Sequence, residues 1–106
     1  MNLNNIKHIH MIGIGGIGMS GLARILTDRG LKITGSDLKN NRLIEKLRKR
    51  GCNIRIGHGK IYGTPEAVVR SFIIKDNNPE IIQAGIRNIP VLERSELLKI
   101  LFESKA

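Results

Sequence analysis

Gly13-x-Gly15-x-x-Gly18, with Gly16 inside it, opens the run GIGGIGMSGLA at residues 13–23. Glycine lets a backbone approach a ligand closely and turn through conformations that other residues avoid. Between a strand and a helix, such a loop presents unpaired N–H groups at the positive end of the helix dipole. That is chemistry for an anion, above all a diphosphate. In this scheme the first glycine permits the tight turn, the second the approach of the diphosphate, and the third close packing of helix on strand. Asp37 follows at about the twenty-residue distance at which an acid accepts hydrogen bonds from a ribose. The same residue could instead cap the helix that begins beyond it. The spacing specifies a nucleotide diphosphate and does not choose between NAD and any other. A glycine-rich turn used for packing alone is the competing description.

Other chemistries find less support. Met19 stands where a G-x-x-x-x-G-K-[ST] loop needs lysine, so no side chain reaches a γ-phosphate and no ATP hydrolysis is expected from this chain. His8 and His10 form an H-x-H pair at the start of the first strand, whereas His58 is expected at the opposite, carboxyl edge of the sheet. Several residues' rise, at about 3.3 Å each, separates them, so no three-histidine metal site is expected. Cys52 has no cysteine or histidine near it in sequence and reads as a buried structural thiol.

The elements that must position these residues alternate along the chain. HIHMIGI (8–14) reads as a strand leading into the loop, and Gly21, Leu22, Ile25 and Leu26 continue from Ile17 with helical spacing, up to a cap at Gly30. LKITGSD (31–37) is a second strand, followed by a basic helix that stops at Gly51. NIRIGH (53–58) and AVVRSFII (67–74) are the third and fourth strands, the latter rich in β-branched residues. Asn78, Pro79 and Glu80 start a helix running to about Arg87: a cap, a proline in the first turn and an acid at the positive dipole end. IPVLER gives a fifth strand, and Ser95 is placed to cap a last helix, ELLKILFES. Residues 62–66 read as a loop or a single helical turn. Such alternation predicts an α/β domain, a parallel sheet with helices on both faces joined by right-handed crossovers.

The chain has 106 residues, room for one domain (1–106) with a real core, and 41% are hydrophobic, which argues against disorder. No apolar run approaches the roughly 18 residues that span a bilayer, and the N-terminus lacks the pattern of a signal peptide. The expected setting is cytoplasmic, without a membrane partner. Eighteen Lys and Arg against nine Asp and Glu give a formal charge of +9. The densest run, Lys46, Arg48, Lys49 and Arg50, falls opposite the stripe of Leu43, Ile44 and Leu47, which describes a solvated helix face rather than a nucleic-acid patch. Three aromatic residues, Tyr62, Phe72 and Phe102, are few for stacking on bases.

The runs HMIGIGGIGMSGLA, TGSDLK, IGH, NNPEI and IPVLERSELL occur in the order seen in bacterial Mur ligases, and the chain resembles their N-terminal domain over nearly its whole length. GIGGIGMS followed by GSD is far more specific than the glycine spacing alone. Within the family the resemblance is to members that join L-alanine to UDP-N-acetylmuramate. The related ligases that recycle murein tripeptide usually carry a cysteine where this chain has Gly16. The resemblance implies a three-layer, Rossmann-like domain with a five-stranded parallel sheet of order 3-2-1-4-5 that binds UDP and not NAD.

It also implies that Gly15, Gly16, Ile17, Gly18, Met19 and Ser20 hold the diphosphate through backbone N–H groups and the serine hydroxyl. Ser36 and Asp37 would stand at the uridine end, the carboxylate accepting the uracil imide N–H. His58 would donate to a uracil carbonyl, or else be a strand-end histidine exposed to water. Ser71 remains from the family's Ser-Ser-Ala-Ile, while Phe72 replaces the second serine, so that strand's nucleotide contacts change or Phe72 packs over the ligand. ATP and magnesium would belong to a central domain and the amino acid to a C-terminal one, each of about 100–200 residues. No cofactor is expected in this chain, which alone would be non-catalytic. A regulatory NAD(H)-binding domain, sharing fold, loop and acid, is the alternative.

Overall fold

In the computed structural model, which describes residues 3–103, a short 3-10 turn, Leu3–Asn5, precedes the first strand. The strands β1 (His8–Ile12), β2 (Lys32–Asp37), β3 (Asn53–Ile56), β4 (Ala67–Arg70) and β5 (Val91–Glu93) form one parallel sheet. Its order is β3-β2-β1-β4-β5, the order that the family resemblance implies. The helices are α1 (Ile17–Asp28), α2 (Arg42–Lys49), α3 (Pro79–Ile86) and α4 (Arg94–Glu103). Winding reverses between β1 and β4, and the carboxyl ends of these two strands open the crevice where such sheets bind ligands.

Every residue of β1 is buried, as a central strand covered on both faces must be. Its side chains alternate between two different environments. Ile9 and Met11, with Ile33, Ile54 and Val69, pack against Leu22 and Leu26 of α1, Ile44 and Leu47 of α2, and Leu97 of α4. On the other face Ile12 and Val68 meet Ile61, Ile74 and Ala84. That second cluster is small because polar side chains occupy the rest of the face.

The cap expected at Asn78 is present, whereas those expected at Asp37 and Ser95 are replaced by neighbouring residues. Asn78 accepts from the Glu80 N–H at 2.9 Å, with Pro79 in the first turn. α2 is capped by Asn41, which accepts from the Ile44 N–H at 2.9 Å. This excludes Asp37 as its cap. α4 begins at Arg94, one residue before the expected cap Ser95, because Glu96 accepts from the Glu93 N–H at 2.8 Å. That is one half of a capping box. Ser104, the expected end of this helix, lies outside the described residues.

Strands one, three and four are shorter than their apolar runs. β1 stops before Gly13 (φ +82°) and β3 before Gly57 (φ +99°), both in the left-handed region that strand geometry does not use. β4 stops at Arg70, whose guanidinium reaches forward to the Ile74 carbonyl and holds residues 71–74 in a turn. Residues 62–66 form a loop without regular structure.

Candidate functional site

The turn at Gly13 is fastened to the neighbouring strand. The N–H groups of Gly13 and Ile14 both donate to the Ser36 carbonyl, at 2.8 and 3.2 Å. The chain then enters α1 through Gly16, a cap without a side chain to satisfy the first amides. The helical ladder begins with the Ser20 N–H donating to the Gly16 carbonyl at 2.8 Å. The N–H groups of Ile17, Gly18 and Met19 therefore have no acceptor among the described residues. They lie at the positive end of the helix dipole. These residues floor a cleft of about 360 Å³, walled by Ser71 and Phe72 after β4 and by the start of α4. Phe72 is 92% exposed at its rim.

The other glycines of the loop serve different ends from those the fingerprint assigns. The Gly15 N–H is already engaged, donating to Asp37 Oδ2 at 2.8 Å, and its carbonyl accepts from Asn41 at 3.0 Å. A Cβ there would stand 2.8 Å from Asp37 Oδ2 and 2.9 Å from Ile44 Cδ1. Gly15 is thus the joint between loop, β2 and α2 rather than an open approach to a ligand. Gly18 does not lie against a strand: the space a side chain would fill is occupied by the Arg94 guanidinium. The Ser20 hydroxyl is buried and donates back to the Ile17 carbonyl at 3.1 Å, so it does not point at the cleft.

Ser36 and His58 belong to a second construction on the opposite face of the sheet. Glu80 in the first turn of α3 is 1% exposed. Its Oε1 accepts from His10 Nε2 at 2.5 Å and from Ser36 Oγ at 2.9 Å, and its Oε2 from the Gly59 N–H at 2.9 Å. His10 Nδ1 meets Thr34 Oγ1 at 2.8 Å, and Thr34 Oγ1 meets His8 Nε2 at 2.9 Å. The period-two placement of His8 and His10 in β1 and of Thr34 and Ser36 in β2 puts all four on one face. His8 and His58, expected far apart, are linked because Glu80 arrives from the helix layer between them. No group of three His, Cys, Asp or Glu with metal-holding geometry occurs among the described residues.

This seam orients His58. Ser36 gives its proton to Glu80, so His58 Nδ1, 2.7 Å away, is assigned as the N–H donor to Ser36 Oγ. A neutral ring held this way offers Nε2 as an acceptor and donates there only after taking a second proton. Its side chain is 8% exposed, unlike a strand-end histidine left in water. Burial pushes the Glu80 carboxyl up, but the bonds from His10, Gly59 and Ser36 outweigh it and hold it below the usual carboxylate range. Burial, then the charges of Lys32 and His10, holds His8 below the ordinary imidazole value.

Asp37 sits at the end of β2 on the loop's side, where its Oδ1 accepts from the Leu38 N–H at 2.8 Å. The basic run on α2 is solvated: Lys46, Lys49 and Arg50 are exposed, and Arg50 and Arg48 pair with Asp28 and Glu45. Cys52 is buried, 3.3 Å from Thr27 Oγ1, and burial pushes its thiol up.

Comparison with known proteins follows the same lines. A family model described as "Mur ligase family, catalytic domain" matches residues 8–106. The UDP-N-acetylmuramate--L-alanine ligase of Bartonella bacilliformis is 53% identical over 95 residues, 89% of this chain and 20% of the relative. That of Aquifex aeolicus is 48% identical over 101 residues, 94% of this chain and 22% of the relative. The crystal structure of the Thermotoga maritima UDP-N-acetylmuramate-alanine ligase superposes with a TM-score of 0.88 at 31% identity, covering 93% of this chain and 23% of that one. The chain spans about one-fifth of the length of the curated relatives it matches.

Proposed function

The chain belongs to the Mur ligase family, and on that premise we propose that it grips the UDP part of UDP-N-acetylmuramate for an ATP-dependent ligase that adds L-alanine in peptidoglycan precursor synthesis. The observation that carries this reading is the trio of unsatisfied amides at Ile17, Gly18 and Met19, set in the cleft at the reversal of the sheet. Backbone donors aimed at a fixed point suit the two phosphates. Gly16 keeps the entrance free of side chain, and Ser71 faces the same cleft.

Asp37, Ser36 and His58 line up along the carboxyl ends of β2 and β3, the proposed uridine end. A carboxylate and a histidine Nε2 are both acceptors, and uracil has one imide N–H to give. Ser36 acts there through His58, since its own hydroxyl is spent on Glu80. ATP and magnesium have no phosphate-binding lysine at this loop, where Met19 stands in its place. They are proposed to bind in the remainder of the ligase, without which this chain does not catalyse. Among the described residues no helix is long and apolar enough to cross a membrane. The ATP and UDP-sugar that such a reaction uses place its proposed setting in the cytoplasm. Family membership favours this reading over a regulatory NAD(H)-binding domain.

Titration with UDP, UDP-N-acetylmuramate and NADH, followed by amide NMR shifts, tests it. The two uridine nucleotides are expected to move the Ile17, Gly18 and Met19 amides, weakly, because contacts from the rest of the ligase are missing. Equal or tighter NADH binding would sink the reading. Ser20→Ala is expected to keep UDP affinity within about threefold, since its hydroxyl points into the helix. A larger loss at unchanged stability would show that the hydroxyl turns outward to the ligand.

A further inference from the structure

Two positive ends meet in the cleft. α1 and α4 both begin there, and both direct their dipoles' positive poles into it. Arg94 adds a full positive charge at the first residue of α4, where a cation is electrostatically disfavoured. Its guanidinium lies over Gly18, in the space a side chain there would occupy, and lines the same cleft as the three free amides. Arg94 makes no hydrogen bond or ion pair among the described residues. The other arginine of the cleft has ion partners: Arg70 bonds Asp76 at 2.7 Å and the Ile74 carbonyl and lies 3.4 Å from Glu93, with only its Nε making no hydrogen bond among the described residues. Glu93, at the threshold of α4, pairs with Arg70 and not with Arg94.

Resting on the reading of this cleft as a UDP site, we propose that Arg94 is the side-chain cation for the diphosphate, closing over it opposite the amides of Ile17, Gly18 and Met19. The glycine at position 18 is needed to let that guanidinium reach the loop. A planar guanidinium bonds two phosphate oxygens at once, which the backbone donors, each bound to one, do not do. An anion in the cleft satisfies both dipole ends and the unpaired charge together.

The full chain and its Arg94→Gln, Gly18→Ala and Lys99→Gln variants are titrated with UDP and with uridine, and their thermal unfolding is recorded. Lys99 is an exposed residue of α4 outside the cleft lining and controls for net charge. Arg94→Gln is expected to weaken UDP by about tenfold or more, as loss of charge-assisted bonds does, to leave uridine unchanged, and to hold or slightly raise the melting temperature, since a cation leaves the helix start. Gly18→Ala should weaken UDP in the same selective way by displacing the guanidinium, and Lys99→Gln should bind like the parent. UDP binding by the parent with no loss in Arg94→Gln overturns the assignment and leaves the cleft's reading intact. Equal losses for UDP and uridine, or for Lys99→Gln, also overturn it. If the unaltered chain binds no UDP, both readings fall.

Discussion

Glu80→Ala is expected to destabilise the fold by about 3–5 kcal/mol, the usual result of removing one partner from a buried ionic cluster. The deletion takes the acceptor from His10 Nε2 and the Ser36 hydroxyl, both buried, and from the Gly59 N–H at the exposed edge of the seam. Each orphaned buried donor costs about 1–3 kcal/mol, against a total stability of about 5–15 kcal/mol. Urea unfolding at neutral pH measures the loss. Glu80→Gln, which keeps one acceptor oxygen, should fall between the parent and the alanine variant. A loss below about 1 kcal/mol for alanine would mean that the seam contributes little.

The same residues set the response to acid. A carboxyl held below its ordinary range contributes stability that is whole above that range and lost as pH falls through the folded value. A histidine held below its ordinary value favours the neutral fold, and the unfolded chain takes up its proton first. Its contribution is complete above about pH 6.5 and erodes as pH falls below it. His8 and Glu80 thus act in the same direction. The melting temperature should hold from about pH 8 to about 6.5, then decline, with a further fall through the carboxylate range. A melting temperature that rises on acidification would contradict both signs.

Gly35→Val should cost about 3 kcal/mol, the upper end of overpacking penalties. Gly35 lies mid-strand in β2, between β1 and β3, and a Cβ there would stand 2.7 Å from the Met11 carbonyl oxygen and 2.7 Å from Ile14 Cδ1. A backbone oxygen held in a parallel ladder cannot yield as a side-chain tip does. Ile14 is part of the loop, so the strain also displaces the amides of the cleft, and UDP binding should weaken with stability. Gly21→Ala is the contrast: nothing lies within 4 Å of its added Cβ, and α1 should gain about 0.5–1 kcal/mol. Calorimetry on both variants decides, with about 4–8 °C expected per kcal/mol for a domain of this size. Equal melting temperatures for the two would refute the packing account.

What is legible in the sequence follows from local chemistry. The alternation of strand and helix, the helix start at Asn78 and the turn at Gly13 rest on periodicity, caps and glycine, all visible within a few residues. The strand order rests on the family motifs, which periodicity alone does not supply. Strand ends are overdrawn wherever an apolar run continues past the point at which hydrogen bonding stops, as after Ser71, whose N–H still donates to the Ile12 carbonyl. Glu80 reads as an acid at a helix start, which it is, but its burial depends on residues distant in the chain, such as His10. A signal is present in the polar pairs His8/His10 and Thr34/Ser36, spaced by two in strands that must be buried on both faces. Arg94 is masked as the end of a strand, and Gly18's neighbour is set only when α4 comes to lie beside α1.

The two unlike faces of the sheet also act as a key. Slipping β2 by one residue along β1 would turn Thr34 and Ser36 toward Leu22 and Leu26 and bring Ile33 and Gly35 around to Glu80. The misplaced hydroxyls would lie in hydrocarbon, and the carboxylate would lose a donor while still shut away from water. Sheets greased equally on both sides tolerate such slippage with little change in energy. In this sheet the wrong alignments are penalised by stranded charge, so the seam narrows the set of pairings the chain can settle into during assembly.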